Sequence, residues 1–146
     1  MKKIFTATLA ILTFVAFSQT THNVDLSGMS FTPNQLTINV GDTVLFTNSS
    51  GFHNVNADIN SITNVTFNNP ESFVSSATST VGALIYSHVF SIAGEYSYDC
   101  SIGSHAAYGM VGTINVVLAG CTDALASNYN PDATLDDETC VYSSYT

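Results

Sequence analysis

The run Tyr96–Val116, YSYDCSIGSHAAYGMVGTINV, decides how the rest of the chain is read. Glu95–Cys100 alternates aromatic and polar side chains, the period-two pattern of a strand with one buried face. Gly112–Leu118 (GTINVVL) is a second run rich in β-branched residues, which suit a pleated, half-buried surface. The loop between them carries Cys100, His105 and Met110, with four residues in each gap. A thiol, an imidazole and a thioether therefore share one loop joining two neighbouring strands. Upstream, the turn signal Asn48-Ser49-Ser50-Gly51 leads into His53, a second imidazole directly after a strand and a turn.

The flanking sequence agrees with an all-β reading. Leu36, Ile38 and Val40 alternate with Thr37 and Asn39. Gly41-Asp42 then turns the chain into Thr43–Thr47 (TVLFT). Ala83–Ser91 (ALIYSHVFS) reads as a further strand, followed by Gly94. Helical spacing with caps is hard to find anywhere. Short strands separated by turn residues predict a Greek-key β-sandwich. Phe46, Phe90, Tyr96 and Tyr98 fall on alternating positions and are read as core or sheet-face packing. Asp58–Thr80, rich in Asn, Ser and Thr, reads as a long connection with room for one or two edge strands or a short helix.

Charge narrows the function. The 146 residues hold 11 Asp+Glu against 2 Lys+Arg. Both bases, Lys2 and Lys3, precede an uncharged apolar run over residues 4–17. A basic start, an apolar stretch too short to span a bilayer comfortably and the small residues Ala16 and Ser18 read as a secretory signal peptide cleaved after Ser18. The predicted organisation is a leader over 1–18, one β-domain over 19–119 and a small acidic module over 120–146. Beyond the leader there is no Lys or Arg. Such a chain cannot neutralise phosphates, so nucleic acids and anionic membrane surfaces are poor partners. An exported, periplasmic or cell-surface protein remains, with a basic partner favoured by charge.

Three cysteines leave one over after any single bridge. Cys121 and Cys140 bound the acidic segment, and bridging is the default in an exported protein. Closing that loop stabilises by about 3 kcal/mol on the loop-entropy account. Asp132, Asp136, Asp137 and Glu138 within it offer oxygen ligands to Ca²⁺. Their spacing differs from an EF-hand loop, and a solvated acidic turn is the competing reading. Cys100 is the cysteine left over. Taken singly, Cys100 and Met110 would be core fillers and His53 an ordinary histidine. Taken together, two imidazoles, a thiolate and a more distant thioether are the donor set of a blue-copper site.

On these residues the chain resembles the cupredoxin family, plastocyanin-like domains in particular. Phe31–Val55 (FTPNQLTINVGDTVLFTNSSGFHNV) carries the same likeness through its F-x-P, GDTV and HNV elements, and the resemblance covers residues 22–118. It implies one type 1 copper on His53, Cys100, His105 and Met110, with Asn54 and Ser101 among the contacts just outside the metal. It also implies one-electron transfer; separately, the chain is expected to be a monomer and not an enzyme. Phe52, Ala106, Ala107 and Tyr108 would form an apolar rim around an exposed edge of His105. A c-type cytochrome domain is the kind of basic redox partner the acidic surface calls for. The gap between Cys100 and His105 is longer than in plant plastocyanins. Asp99 stands where those proteins carry a docking Tyr, and its carboxylate should favour Cu(II) and lower the potential.

Two other functions use the same residues: copper delivery, and a surface or adhesion module with an incidental metal site. The second draws on the segment from Cys121, which resembles a short repeat of secreted and surface proteins of bacteria. Multicopper oxidases need His-x-His pairs, and none occurs among the 4 histidines. His22 is read as solvated, and His88 is given no role.

Overall fold

The computed structural model describes residues 19–143. The leader assigned to 1–18 lies outside the described residues. Nine strands follow in order: β1 (Thr21–Ser27), β2 (Ser30–Thr32), β3 (Gln35–Asn39), β4 (Thr43–Asn48), β5 (Leu84–Val89), β6 (Gly94–Asp99), β7 (Val111–Val117), β8 (Ala119–Gly120) and β9 (Leu135–Asp136). One sheet has the order β2-β1-β4-β5 and a second the order β3-β7-β6. The chain crosses between them from β2 to β3, from β3 to β4 and from β5 to β6. The result is the all-β Greek-key sandwich predicted.

Alternation along the strands builds the core. Val24 and Leu26 of β1, Val44 and Phe46 of β4, Tyr96 and Tyr98 of β6, and Ile114 and Val116 of β7 are all buried. Tyr98 sits between Phe31 and Phe46, edge-on to each, at centroid distances of 4.8 and 5.4 Å. These aromatic pairs lock the two sheets together near the metal-site end of the sandwich. The Tyr98 ring lies across β7 at Gly112, where a Cβ would fall 2.3 Å from the ring. A glycine at that position is therefore a packing requirement.

Strands β1 and β2 were not singled out in the sequence. Thr21–Ser27 alternates burial cleanly, but its buried set is only Val24 and Leu26. Its strand character comes from six-residue parallel pairing with β4, Thr21 against Thr43 through Leu26 against Asn48. Such long-range pairing leaves little mark on local sequence. His22, read as solvated, is only partly exposed and is engaged: its Nε2 stands 3.0 Å from Asp42 Oδ2. Asp42, buried in the turn between β3 and β4, also accepts the N–H groups of Thr20 and Asn39. Burial pushes this carboxyl up, but those donors and His22 outweigh it and hold it below the usual carboxylate range.

The long connection read at Asp58–Thr80 lies within a longer irregular stretch, 49–83, with isolated bridges in place of strands. Asparagine side chains take over the pairing. Asn69 donates to the carbonyls of Ala57 and Ser97 and accepts the Ser97 N–H, each at 2.8 Å. The connection is thereby tied to β6 with little regular ladder of its own.

Beyond β7, β8 and β9 pair in parallel as a separate two-stranded sheet. Cys121 and Cys140 are bonded, as predicted. The four acids offered to Ca²⁺ are not brought together as a cluster of metal-ligating groups. Asp136 and Asp137 instead accept N–H groups two residues on, from Glu138 and Thr139. This is the Asx-turn habit of short acidic side chains, which draws each carboxylate to its own backbone.

Candidate metal centre

His53, Cys100 and His105 converge at one end of the sandwich. They form the only group of three or more His, Cys, Asp or Glu side chains placed to hold a metal among the described residues. His53 Nδ1 and His105 Nδ1 are 3.2 Å apart, and Cys100 Sγ lies 3.8 Å from the first and 3.4 Å from the second. Bonds of about 2.0 Å to nitrogen and about 2.3 Å to sulfur put the edges of a trigonal set near 3.5 Å and 3.7 Å. The observed triangle fits such a metal with small adjustment.

Each corner is positioned by the fold. Cys100 follows directly on β6 and is fully buried. Its N–H donates to the Met110 carbonyl at 3.1 Å, and the Met110 N–H donates to the His105 carbonyl at 3.0 Å. The loop is thus stapled at both ends, and the 3₁₀ turn Ala106–Tyr108 fills the space between. Met110 is fully buried beside the loop as well. His53 pairs its backbone with Thr78 in both directions, at 3.2 and 3.0 Å.

His53 depends on the turn before it. Asn48, buried at the end of β4, donates to the carbonyls of Gly51 and Thr80, each at 3.2 Å. Gly51 has φ +91°, and a Cβ there would stand 2.4 Å from His53 Nε2. Only glycine gives both the left-handed turn and room for the imidazole. Burial, and then the neighbouring His105, hold His53 below the usual imidazole range. At neutral pH the ring is therefore uncharged and has a lone pair to offer.

Asn54 and Ser101 join the two halves of the site. Asn54 Nδ2 donates to Ser101 Oγ at 2.8 Å, and the Ser101 N–H donates back to Asn54 Oδ1 at 2.9 Å. This reciprocal pair holds the residue after His53 against the residue after Cys100. Such contacts outside the donor set fix the orientation of the donors.

The family of copper-binding proteins described as plastocyanin/azurin matches residues 18–117. The chain belongs to that family. Its cofactor is accordingly a single type 1 copper, and the centre supports copper-based electron transfer. A Cu-containing nitrite reductase from Thermus scotoductus SA-01 aligns over 65% of this chain at 31% identity with a TM-score of 0.51, and the chain covers 22% of that protein. A reduced amicyanin mutant aligns over 65% of this chain and 80% of its own at 27% identity and TM-score 0.47. A Cu(I) amicyanin mutant at pH 4 aligns over 70% and 85% at 25% identity and TM-score 0.49. No curated protein matches the chain.

The apolar rim expected around this cupredoxin site is partly present. Phe52 and Tyr108 are 50% and 74% exposed, and Ala107 is exposed as well. Ala106 is instead buried, turned inward by the 3₁₀ turn. His88 lies away from the cluster, stacked on Phe73 at 4.4 Å. Asn48, Gly51, Asn56 and Ser61 were missed as supporting residues. The turn signal at Asn48–Gly51 pointed to the first two. Asn56 and Ser61 meet the ligand strand only in three dimensions. No helix among the described residues is long and apolar enough to cross a membrane.

Proposed function

We propose that this protein is a one-electron carrier working outside the cytoplasm. His53, Cys100 and His105 would hold the copper most strongly, with Met110 as a weaker fourth donor. The observation that carries the reading is the triangle of two Nδ1 atoms and one Sγ, with edges of 3.2 to 3.8 Å. Bound copper supplies a one-electron couple, with thiolate and thioether suited to Cu(I) and imidazole to both states.

The residues around it keep that couple fast. The stapled loop and the Asn54–Ser101 pair hold the donors in one arrangement, so little rearrangement accompanies gain or loss of an electron. Burial of His53, Cys100 and Met110 excludes water from three sides. His105 is only half-buried, and with Phe52 and Tyr108 nearby it is the exit for the electron. Cys100 acts as the thiolate, the form a metal imposes on a coordinating thiol.

The leader-like start favours a periplasmic or cell-surface location. The module over 120–146, closed by Cys121–Cys140, is then an appendage to a copper domain over 19–119. A monomeric protein without Lys or Arg beyond residue 3 favours a basic redox partner, such as a c-type cytochrome domain. Association with it should weaken as salt is added. Four histidines without a His-x-His pair argue for a carrier over an oxidase.

The test is a Cu(II) titration of wild type and Cys100→Ser followed by visible absorption. An intense thiolate-to-copper band saturating at one equivalent, absent from the variant, is the expected result. Weak d–d absorption alone in wild type would remove Cys100 from the ligand set and the carrier function with it.

A further inference from the structure

We propose that the buried carboxylate of Asp99 sets the potential of this copper centre low, and that Asn56 and Ser61 hold and partly screen its charge. The inference rests on the ligand assignment above.

Asp99 is the last residue of β6, next to Cys100, and is fully buried. Adjacent Cα atoms stand about 3.8 Å apart, so the carboxylate lies within a few ångströms of the thiolate's backbone. Both its oxygens are received by neutral donors. Oδ1 accepts from Asn56 Nδ2 at 2.7 Å and from Ser61 Oγ at 2.9 Å, and Oδ2 accepts from the Ser61 N–H at 2.7 Å. The backbones of Asn56 and Asp99 also pair in both directions, at 2.9 and 2.8 Å. No cation answers the charge. The described residues contain no Lys or Arg, and the two imidazole–carboxylate contacts engage Asp42 and Glu71 instead.

A buried negative charge opposed only by dipoles is screened less than one in water and acts over distance. Oxidation adds one positive charge to the copper centre. Asp99 therefore stabilises the Cu(II) state more than the Cu(I) state, and the couple moves down. Asn56 and Ser61 lie on the long connection, where they line an open pocket of about 430 Å³ together with Ser101. The charge is thus buried in the core, while the donors that moderate it belong to a segment facing solvent.

The test measures the reduction potential of the copper-loaded full chain by spectroelectrochemical titration, alongside thermal unfolding of the metal-free protein. Asp99→Asn should lower the ratio of Cu(II) to Cu(I) affinity at least tenfold, an upward shift of about 59 mV for one electron. Ser61→Ala keeps the charge and removes a donor, so the ratio should rise about two- to threefold. Both variants should lower the unfolding temperature. Opposite signs in potential with the same sign in stability separate a charge effect from loss of support. An unchanged potential in Asp99→Asn, or a rise in both variants, overturns the proposal. If Asp99→Asn does not fold, Ser61→Ala decides alone: a lower potential supports the proposal, and an unchanged or higher one overturns it. A wild type without the thiolate–copper band overturns the ligand assignment and this inference together. A normal band with an unresponsive potential overturns this inference only.

Discussion

The loop Cys100–Met110 and the segment Cys121–Cys140 are both irregular stretches bounded by a sulfur-bearing residue, and they are held by opposite means. The first is set by burial and reach. Cys100, Ala106 and Met110 are buried, backbone bonds close the loop on itself, and Asn54 ties it to a turn 47 residues away. The second is set by a covalent bond, a two-residue parallel pairing and side chains that bond their own backbone. Leu125 is left 87% exposed there, and Tyr129 is exposed too. A site that must keep three donors within about 4 Å of one another is built from the core outward. A module with little core needs a crosslink.

The sharpest way to break the contrast is Gly51→Ala. Its cost combines about 1–3 kcal/mol of backbone strain with about 1–3 kcal/mol of overpacking against His53. Copper binding followed by the thiolate band should weaken severely. Gly28→Ala, also at positive φ (+60°) but with nothing within 4 Å of the new Cβ, should leave the band intact. Equal loss of the band in both variants would show that strain alone, and not the imidazole's position, matters.

Removing the crosslink with Cys121→Ser and Cys140→Ser tests the other region. The module should lose about 3 kcal/mol of stability, seen as faster amide exchange over 121–140. The copper spectrum should not move. A changed spectrum would mean that the two regions are coupled.

A smaller effect is expected from Asn54→Ala. The Ser101 N–H loses its acceptor, which costs about 1–3 kcal/mol where the group cannot reach water. Faster copper dissociation, with the band's position nearly kept, is the expected outcome of loosening the two halves. A wild-type off-rate would assign the pair no part in holding the site.

The smallest effect is the pH response of Asp42, which anchors the start of β1 at the end of β4 away from the metal-site turn. Its carboxyl titrates below its ordinary value of 3.8 in the folded protein. The stability it contributes is complete above that ordinary value and is lost as pH falls through the lower folded one. Denaturant midpoints for wild type and Asp42→Asn should therefore differ near neutrality and converge in acid. A difference that persists unchanged in strong acid would remove the carboxylate from the account.

Much of the site was legible before the structure. The offsets from Cys100 to His105 and Met110, and the turn ahead of His53, are local patterns of chemistry-bearing side chains. β3 and β6 follow from alternation, and β4, β5 and β7 from strand-forming runs bounded by turn residues. β1 was not legible, because its buried set is two residues and its partner, β4, lies about twenty residues on. Asp99 was legible as a charge next to a thiol but not as a buried one, since Ser61 lies 38 residues away. The acids of the last segment suggested a cation by composition alone, whereas Asp136 and Asp137 turn onto N–H groups two residues on. His22 looked like a free terminal histidine until Asp42 came within 3.0 Å.

By itself, the amino-acid sequence determined the all-β class, the donor types and their order, the crosslink and the absence of basic residues past Lys3. These are properties of neighbours along the chain, where alternation, turn residues and composition act directly. Only the tertiary structure decided that His53 joins Cys100 and His105 in one triangle, that Asn54 and Ser101 lock it, and that Asp99 is buried beside it without a cation. Those contacts span tens of residues. They exist because two sheets pack their aromatic faces together and bring distant turns to the same end of the sandwich.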